Sequence, residues 1–516
     1  MQAAPAGGAT AAEHIHRTVS LARTLPPPMR RCMSREDCGS SNANLNEWTK
    51  QVVLRRRAPS GVGAIMRPLR CAPKLRATAT VLAGLLFALL GTAGCSSPTR
   101  LNAVPVVSQA KASVVGMPDV RYWADGDAAD FLRDGLEGVR REQALLQQAG
   151  YRSALPPAEF LAISGGGEDG AFGAGLLVGW SAVGTRPNFK GVTGISTGAL
   201  IAPFAFLGPA YDDKLKEVYT TITGRDILEQ RGFLAAITND AMADTAPLRK
   251  LVRRIFDQGM LDAIAAEHEK GRALLIGTTN LDARRPVIWN VTKIAATHHP
   301  NALELVQTLL VASAAIPGAF PPVMISVDAD GRTFEEMHVD GGATAQVFVY
   351  PPSLNIRTAA QQAGIVRERR LYVIRNARLD PDWAQVERRT LSIANRAVSS
   401  LIQTQGIGDL YRIYIAAQRD GIDFNLAYIP ETFKTTLKEP FDPVYMNELF
   451  KIGYDMAAKG YPWAKTPPGY AAPQIEPPLP SQGGVAKIRA TQARSTTPAQ
   501  KTVQTRTTAQ GGKSLP

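Results

Sequence analysis

Cysteine is scarce in this chain of 516 residues: there are four, and all of them lie at or before position 95. The remainder of the sequence therefore has neither a disulfide framework nor a thiolate metal site, and thiol catalysis is excluded there. Histidine is almost as rare, with six in the chain and none after His338. A proton-transfer site formed by later residues must therefore use another base.

Basic charge is missing from the body of the chain, although the overall net charge is +13. Residues 1–76 carry +9 and residues 466–516 carry +5, so residues 77–465 sum to −1. A nearly neutral body offers no basic face to a phosphate backbone, which argues against a nucleic-acid partner. With 45% apolar and 20% charged residues, the chain is nevertheless suited to a large globular core.

The segment from residue 66 to residue 95 has the three parts of a secretory signal in order. Basic residues come first, an apolar run follows from about Ala77 to Leu90, and small residues precede Cys95. This run of about 14 residues is shorter than the roughly 20 that span a bilayer, which favours a signal over an uncleaved anchor helix. Its end resembles a bacterial lipoprotein lipobox, which implies lipidation of Cys95.

A signal at this position predicts that translation begins at Met66 and that residues 1–65 are a non-native or disordered extension. The serine that follows Cys95 implies, by resemblance to lipoproteins, a lipid-anchored protein of the bacterial cell envelope, at the outer membrane. We therefore expect an N-terminal lipid anchor that holds the protein on a membrane surface.

Short apolar runs that alternate with helical patterns predict an α/β fold with a mostly parallel central sheet. We divide the rest of the chain into a tether with a surface helix (96–157), a catalytic core (158–345), a helix-rich remainder of that domain (346–465) and a disordered tail (466–516). Within the remainder, residues 383–458 are expected to cap one side. Strands are expected at AEFLAIS, GVTGIS, ALLIGTTNL, PVIWNVT, EMHVD and RLYVIRNA.

Three glycines, Gly165, Gly166 and Gly167, follow the first of these strands and precede a helix that begins near Gly170. Gly165 and Gly167, together with Gly170, also fit the dinucleotide pattern G-x-G-x-x-G. That pattern requires an acidic residue about 20 positions further on to hold a ribose, and residues 171–211 contain none. A nucleotide is therefore not expected. Bare backbone N–H groups at a helix start are instead suited to an oxyanion.

Residues 194–198 read GISTG, the G-x-S-x-G pattern in which a tight turn between a strand and a helix exposes a nucleophile, here Ser196. A serine nucleophile needs a base, and one predicted strand offers two. Asp340 in HVDGGA ends that strand beside two glycines and is the better candidate. His338 lies two residues earlier on the same face, although a plain strand histidine is the favoured interpretation.

Four motifs, SGGGEDGAFGAG, GISTGAL, ASAAIPGAFPPV and HVDGGA, resemble in this order the patatin-like phospholipases, over about residues 158–345. The resemblance implies a three-layer α/β/α fold and a catalytic dyad of Ser196 and Asp340 without histidine. It also implies that the three glycines form the oxyanion hole and that no metal or other cofactor is required. The implied substrates are acyl esters of membrane lipids, cleaved through an acyl-enzyme on the serine.

Two carboxylates, Glu168 and Asp169, depart from this resemblance, because the family commonly has Arg or Lys where Asp169 stands. Their charge disfavours an anionic head group near the hole, so neutral or zwitterionic esters are expected to be preferred over acidic phospholipids. Two other functions stay open. One is a non-catalytic envelope lipoprotein that binds lipid or a protein partner, and the other is an esterase or thioesterase that acts on soluble substrates.

Overall fold

The computed structural model describes residues 100–230, 241 and 243–470, which belong to one compact unit, Ala93–Pro516. The predicted extension, the signal with Cys95 and the tail beyond residue 470 lie outside the described residues and stay predictions. Within the described ranges, no helix is both long enough and apolar enough to cross a bilayer.

The secondary structure alternates between strands and helices along most of the chain. The strands are β1 (Ser113–Val114), β2 (Arg121–Trp123), β3 (Ala158–Ile163), β4 (Gly191–Ile195), β5 (Glu229–Gln230), β6 (Ala243–Asp244), β7 (Ala273–Asn280), β8 (Arg285–Asn290), β9 (Val323–Ala329), β10 (Arg332–Asp340), β11 (Arg369–Arg375) and β12 (Asp423–Tyr428). The helices are α1 (Ala129–Gln148), α2 (Gly170–Ala182), α3 (Thr197–Leu207), α4 (Asp212–Thr221), α5 (Gly224–Ile227), α6 (Ala246–Ile255), α7 (Gln258–Glu269), α8 (Val291–Ala296), α9 (Ala302–Ser313), α10 (Ile356–Gln362), α11 (Thr390–Asp420) and α12 (Pro443–Ala458).

The large sheet has ten strands and is built around a parallel core. In this core β7, β4, β3, β11 and β12 lie side by side and run in the same direction. β8, β2, β10, β9 and β1 add antiparallel pairs beside β7. The predicted α/β class is confirmed, and every predicted strand is present. The sheet is more mixed than expected, because half of its strands join through antiparallel pairs.

Alternation along the parallel strands divides the apolar side chains between two faces. On β3, Leu161 and Ile163 join the larger core with helices α2, α3 and α12, whereas Ala162 between them joins a second core with α11. Helices therefore cover both faces of the sheet and give it the three layers that the resemblance implied. Burial on both faces explains why these strands appear in the sequence as unbroken apolar runs.

The C-terminal region differs from the prediction that it caps one side. α11 packs Leu410 and Tyr414 into the core that contains Phe424 of β12. α12 packs Leu449 and Phe450 into the core on the other face, where it contacts α2. Between these two helices, β12 was not predicted, and it extends the parallel core next to β11. The C-terminal region is therefore part of all three layers.

β7 brings together the ends of two strands that are far apart in sequence. On the edge opposite β8, it pairs first with the parallel strand β4, whose last residue Ile195 faces Gly277. The next residue on this edge, Thr278, pairs with Asp340, the last residue of the antiparallel strand β10. β4 and β10 thus approach each other from opposite directions and end at neighbouring positions.

Candidate active site

Ser196 occupies the turn between β4 and α3 with φ 55° and ψ −126°, a conformation that costs on the order of 1–3 kcal/mol in residues other than glycine. The turn also requires close backbone packing. A Cβ on Gly194 would lie 2.3 Å from the carbonyl oxygen of Gly198, and a Cβ on Gly198 would lie 2.3 Å from that of Ile163. The flanking glycines therefore let the turn close. The serine stands at the start of α3, where the helix dipole favours negative charge.

Asp340 lies beside Ser196 because β7 holds the ends of both strands. The Ser196 side chain lies close enough to the Asp340 carboxylate to lower the pKa of that group, and the carboxylate Oδ1 accepts the N–H of Gly342 at 2.7 Å. The backbone N–H of Asp340 donates to the carbonyl oxygen of Ala315 at 2.8 Å. Burial raises the pKa of the carboxyl to about 6, while Ser196 and Gly342 oppose the shift. The structure thus brings the two predicted residues to neighbouring positions.

Of the three predicted oxyanion donors, one is already engaged. The N–H of Gly165 donates to the carbonyl oxygen of Gln346 at 3.0 Å, so its predicted role as a donor is corrected. For Gly166 and Gly167, no acceptor of the backbone N–H is found among the residues that the structure describes. Gly165 instead lets the loop approach the nucleophile, since a Cβ there would lie 3.2 Å from the Cβ of Ser196.

Asn376, which follows β11, holds the glycine loop in place. Its backbone N–H donates to Ser164 Oγ at 2.8 Å, and its Nδ2 donates to the Ser164 carbonyl oxygen at 3.0 Å. Its Oδ1 accepts the N–H of Gly173 at 3.1 Å. The contact leaves no space for a side chain on Gly166, whose Cβ would lie 2.2 Å from the Asn376 carbonyl oxygen. Sequence reasoning missed Asn376, although a polar residue just after an apolar parallel strand is a signal for a site.

Ser313, at the end of α9, fixes the backbone of the nucleophile. Its Oγ accepts the N–H of Ser196 at 3.0 Å and donates to the carbonyl oxygen of Gly277 at 2.7 Å. The turn is therefore attached to β7 at the point where β4 ends. Ser313 belongs to the motif ASAAIPGAFPPV, but the sequence alone gave no reason to assign it a role.

His338 is engaged away from the nucleophile. Its Nδ1 lies 2.9 Å from Thr278 Oγ1, its Nε2 lies 3.1 Å from Glu336 Oε2, and its ring packs edge-on against Trp289. Burial lowers the pKa of His338, against the effect of Glu336. These contacts are those of a structural strand histidine. In the described part of the chain, no group of three or more His, Cys, Asp or Glu residues is arranged to hold a metal ion.

The two carboxylates of the glycine loop have a buried cation nearby. Asp169 Oδ1 accepts the hydroxyl of Tyr445 at 2.5 Å. Burial raises the pKa of Asp169 to about 7; Tyr445 and Arg375 oppose this shift, and Glu168 adds to it. Arg375, at the end of β11, is 2% exposed and donates to the carbonyl oxygen of Gly165 at 3.5 Å. The glycine loop thus has no Arg or Lys of its own, but the guanidinium of Arg375, from the neighbouring strand β11, lies beside it.

The dyad is approached from the side of the glycine loop, where Gly166 is exposed, and of the loop after α9, where Ile316 is exposed. An apolar cavity of about 460 Å³ lies elsewhere, between α1 and the sheet. Its lining includes Phe160 and Leu275 but neither member of the dyad. This cavity therefore does not open on Ser196.

Comparison with known proteins identifies the class of protein to which this site belongs. The family model of patatin-like phospholipases matches residues 161–351, a range that contains the glycine loop, Ser196 and Asp340. Residues 161–351 form a patatin-like phospholipase domain, which confirms the resemblance seen in the sequence. No curated protein matches the chain.

Three solved structures each align with 60% of this chain at low similarity. They are VipD from Legionella pneumophila (14% identity, TM-score 0.29, 67% of that chain), full-length ExoU with SpcU from Pseudomonas aeruginosa (12%, 0.23, 52%) and human GIVD cytosolic phospholipase A2 (9%, 0.25, 55%). The chain thus spans between about half and two thirds of these proteins. At these TM-scores the alignments add nothing to the family match.

Proposed function

We propose that this protein hydrolyses acyl ester bonds of membrane lipids, as a phospholipase A or lysophospholipase, by means of Ser196 and Asp340. The observation that carries the proposal is that β7 places Ser196 and the buried Asp340 at neighbouring strand ends, where the serine side chain lowers the pKa of the carboxyl. With a pKa of about 6, this carboxyl is mostly ionised at neutral pH and yet more basic than an ordinary aspartate. A base in that state takes the proton of a hydroxyl that it contacts.

Acylation starts when Ser196 Oγ attacks the carbonyl carbon of the ester and Asp340 takes the hydroxyl proton. The carbonyl oxygen becomes an oxyanion, for which the free N–H groups of Gly166 and Gly167 are the donors. The bond between the carbonyl carbon and the leaving oxygen then breaks, and Asp340 gives its proton to that oxygen. The alcohol departs and the acyl group stays on the serine.

Deacylation repeats the same steps with water as the nucleophile. Asp340 takes a proton from the water as its oxygen attacks the acyl carbon, and the second oxyanion forms at the same donors. Collapse of this intermediate breaks the bond to Ser196 Oγ, to which Asp340 returns the proton. The fatty acid leaves and the dyad regains its starting state.

The test is release of fatty acid by the full chain from vesicles of phosphatidylcholine and lysophosphatidylcholine. Ser196→Ala and Asp340→Asn should each lower the rate at least about 1,000-fold while the far-UV circular dichroism stays unchanged. Ser353→Ala, which changes an exposed serine on another loop, is the matched control and should keep full activity. Mass spectrometry of the products identifies which ester bond is cleaved.

Other outcomes would favour the alternative functions. Hydrolysis of soluble short-chain esters or thioesters without release from vesicles would indicate an esterase. An inert protein whose Ser196 is not labelled by a fluorophosphonate would indicate a non-catalytic protein that binds lipid or a partner.

We further propose that lipidation at Cys95 anchors the protein at the outer membrane of a bacterial cell envelope. The support is the order of basic, apolar and small residues over residues 66–95. N-terminal sequencing and mass spectrometry of the mature protein should find a lipid-modified Cys95. Peptides from residues 1–65 in the mature protein would contradict the proposed start at Met66.

A further inference from the structure

The first half of α11 exposes an apolar face, whereas an ordinary surface helix exposes its polar face. Leu391, Val398, Leu401 and Ile402 fall within one sector of about 100° at 3.6 residues per turn, which is the spacing of an apolar helix face. Such a face normally packs on the core. Here the four side chains are 80%, 53%, 69% and 39% exposed. We call these four residues the apolar stripe.

Polar contacts on the opposite side hold the helix in this orientation. Arg396 forms an ion pair with Asp382 at 3.0 Å, and the Gln403 side chain donates to the carbonyl oxygen of Arg378 at 2.9 Å. Both residues lie roughly opposite the apolar stripe on the helix circumference. The side with Arg396 and Gln403 therefore faces the protein and the apolar stripe faces outward, and Ile393, which lies between the two sides, is also 53% exposed.

The segment before the helix adds to the same kind of surface. Trp383 is 85% exposed and Val386 is 39% exposed. Tryptophan is the residue most typical of the boundary between water and hydrocarbon. Arg388 and Arg389 follow, both exposed; Arg389 pairs with Glu387 at 3.2 Å, whereas Arg388 makes no ion pair with any residue that the structure describes. Basic residues beside an apolar helix face complement the anionic head groups of a bilayer.

The apolar stripe is continuous with the elements that form the active site. One turn after it, Gln405 and Asp409 of the same helix contact Gln346: its side chain donates to Gln405 Oε1 at 3.4 Å and its backbone N–H donates to Asp409 Oδ2 at 2.6 Å. Gln346 also donates to the carbonyl oxygen of Gly342, which belongs to the turn after Asp340. The C-terminal end of the stripe, at Ile402, therefore lies about one turn before the helix residues that contact the loop after Asp340.

We infer that the apolar stripe, together with Trp383, is the surface by which this protein docks on a lipid bilayer. Docking there would place the exposed side of the Ser196–Asp340 pair against the bilayer, which contains the lipid esters that the proposed reaction uses. The inference rests on the proposed function for the purpose of docking, although the binding itself does not require catalysis. An exposed ridge of this kind buries its apolar side chains in the head-group region rather than in a groove of its own fold.

The experiment compares binding and two kinds of hydrolysis in the full chain with Cys95→Ser, so that a lipid anchor cannot contribute. The double variant Leu391→Ser with Leu401→Ser should bind vesicles of phosphatidylcholine and phosphatidylglycerol about tenfold more weakly or less in a sedimentation assay. It should hydrolyse vesicle lipids at least about tenfold more slowly, but a monomeric short-chain ester at the rate of the parent protein, because the dyad is unchanged.

The matched control is Val106→Ser with Val107→Ser. These valines are 82% and 87% exposed and precede β1 at the other end of the sheet. This variant should bind and hydrolyse vesicles like the parent. A variant in the opposite direction, Ala394→Leu, enlarges an exposed residue within the sector of the stripe and should bind vesicles more tightly while its far-UV circular dichroism and Tm stay those of the parent.

The outcomes separate this inference from the proposed function. Unchanged vesicle binding in the leucine double variant and in Ala394→Leu would overturn the docking surface, whether or not the lipids are hydrolysed. Binding that depends on the stripe in a protein that hydrolyses no ester would support docking and contradict the proposed function. If the double variant instead abolishes self-association in analytical ultracentrifugation and leaves vesicle binding intact, the stripe belongs to an interface with a second copy, and the inference fails.

Discussion

Two aspartates of the candidate site, Asp340 and Asp169, differ in what they contact. Asp340 and Asp169 both have a raised pKa, about 6 and about 7, and in both burial is the main cause. The Ser196 side chain lowers the pKa of Asp340, whereas Asp169 accepts the hydroxyl of Tyr445. Basicity alone therefore does not single out one carboxylate as the partner of the serine. Asp340 ends β10 next to the end of β4, whereas Asp169 lies in the glycine loop, and this placement decides which carboxylate neighbours the serine.

The largest difference is expected in catalysis. Asp340→Asn should lower kcat/KM on lysophosphatidylcholine at least about 1,000-fold, because the variant cannot accept the serine proton. Asp169→Asn should lower it less than about tenfold, because that carboxylate only neighbours the glycine loop. Steady-state kinetics of both variants at pH 8 measure the contrast. Equal losses would mean that both carboxylates take part in proton transfer.

The pH dependence of the activity should identify the same residue. Asp340 must be ionised to act as a base, so kcat/KM should rise with pH up to about 6 and level off above it. Below that value it should fall about tenfold for each unit of pH. Asp169→Asn should keep this acidic limb, which a pH-rate profile on a soluble ester can show. A limb that moves or disappears in this variant would assign the titration to Asp169 instead.

Both aspartates should lower the stability of the folded protein at high pH. Each pKa in the fold is above its usual value, so the fold favours the protonated carboxyl, and that contribution is lost as pH rises through about 6 or about 7. Asn resembles the protonated form. Asp340→Asn and Asp169→Asn should therefore raise the Tm by several degrees at pH 8 and by less at pH 5. Calorimetry with a larger gain at pH 5 would contradict these directions.

The smallest effect is expected on head-group preference. Glu168 and Asp169 disfavour an anionic lipid, but Arg375 lies near Asp169, and Asp169 titrates near neutrality. Wild type should therefore prefer neutral diacylglycerol over phosphatidylglycerol by only a few-fold at pH 8. Asp169→Asn should reduce that ratio about twofold, as measured in matched vesicles. If Asp169→Asn leaves the ratio unchanged, the Asp169 carboxylate does not cause the head-group preference.

The dyad could be predicted because its signals are local. The turn at Ser196 needs the glycines on both sides of it, and Asp340 is a carboxylate at the end of an apolar strand. The contact of Gln346 with the glycine loop could not be predicted, because it is made by the backbone: the Gln346 carbonyl oxygen accepts a hydrogen bond from the N–H of Gly165. Asn376 could be suspected from its place after a strand, but its bonds to Ser164 depend on β11 lying next to β3.

Some features of the fold were likewise not predicted from the sequence. The hairpin of β9 and β10 turns at Asp330 and Gly331, both with positive φ, and Asp-Gly is a hairpin signal that the sequence analysis did not use. The apolar stripe illustrates a stronger limit. The helical period indicates that Leu391, Val398 and Leu401 share a face, but not whether that face turns towards the core. Only the contacts of Arg396 and Gln403 with the neighbouring segment decide it.

The edge of β7 also has a consequence for how the protein folds. Ser196 and Asp340 come together only after β7 has paired with β4, which precedes it in the chain, and with β10, which follows it. Both pairings join residues that are distant in sequence, so each requires closure of a long loop, and such contacts form slowly. Helices such as α2 need only local contacts and form earlier. A refolding chain should therefore regain its circular dichroism before its esterase activity, and the nucleophile should stay inert until the sheet is complete.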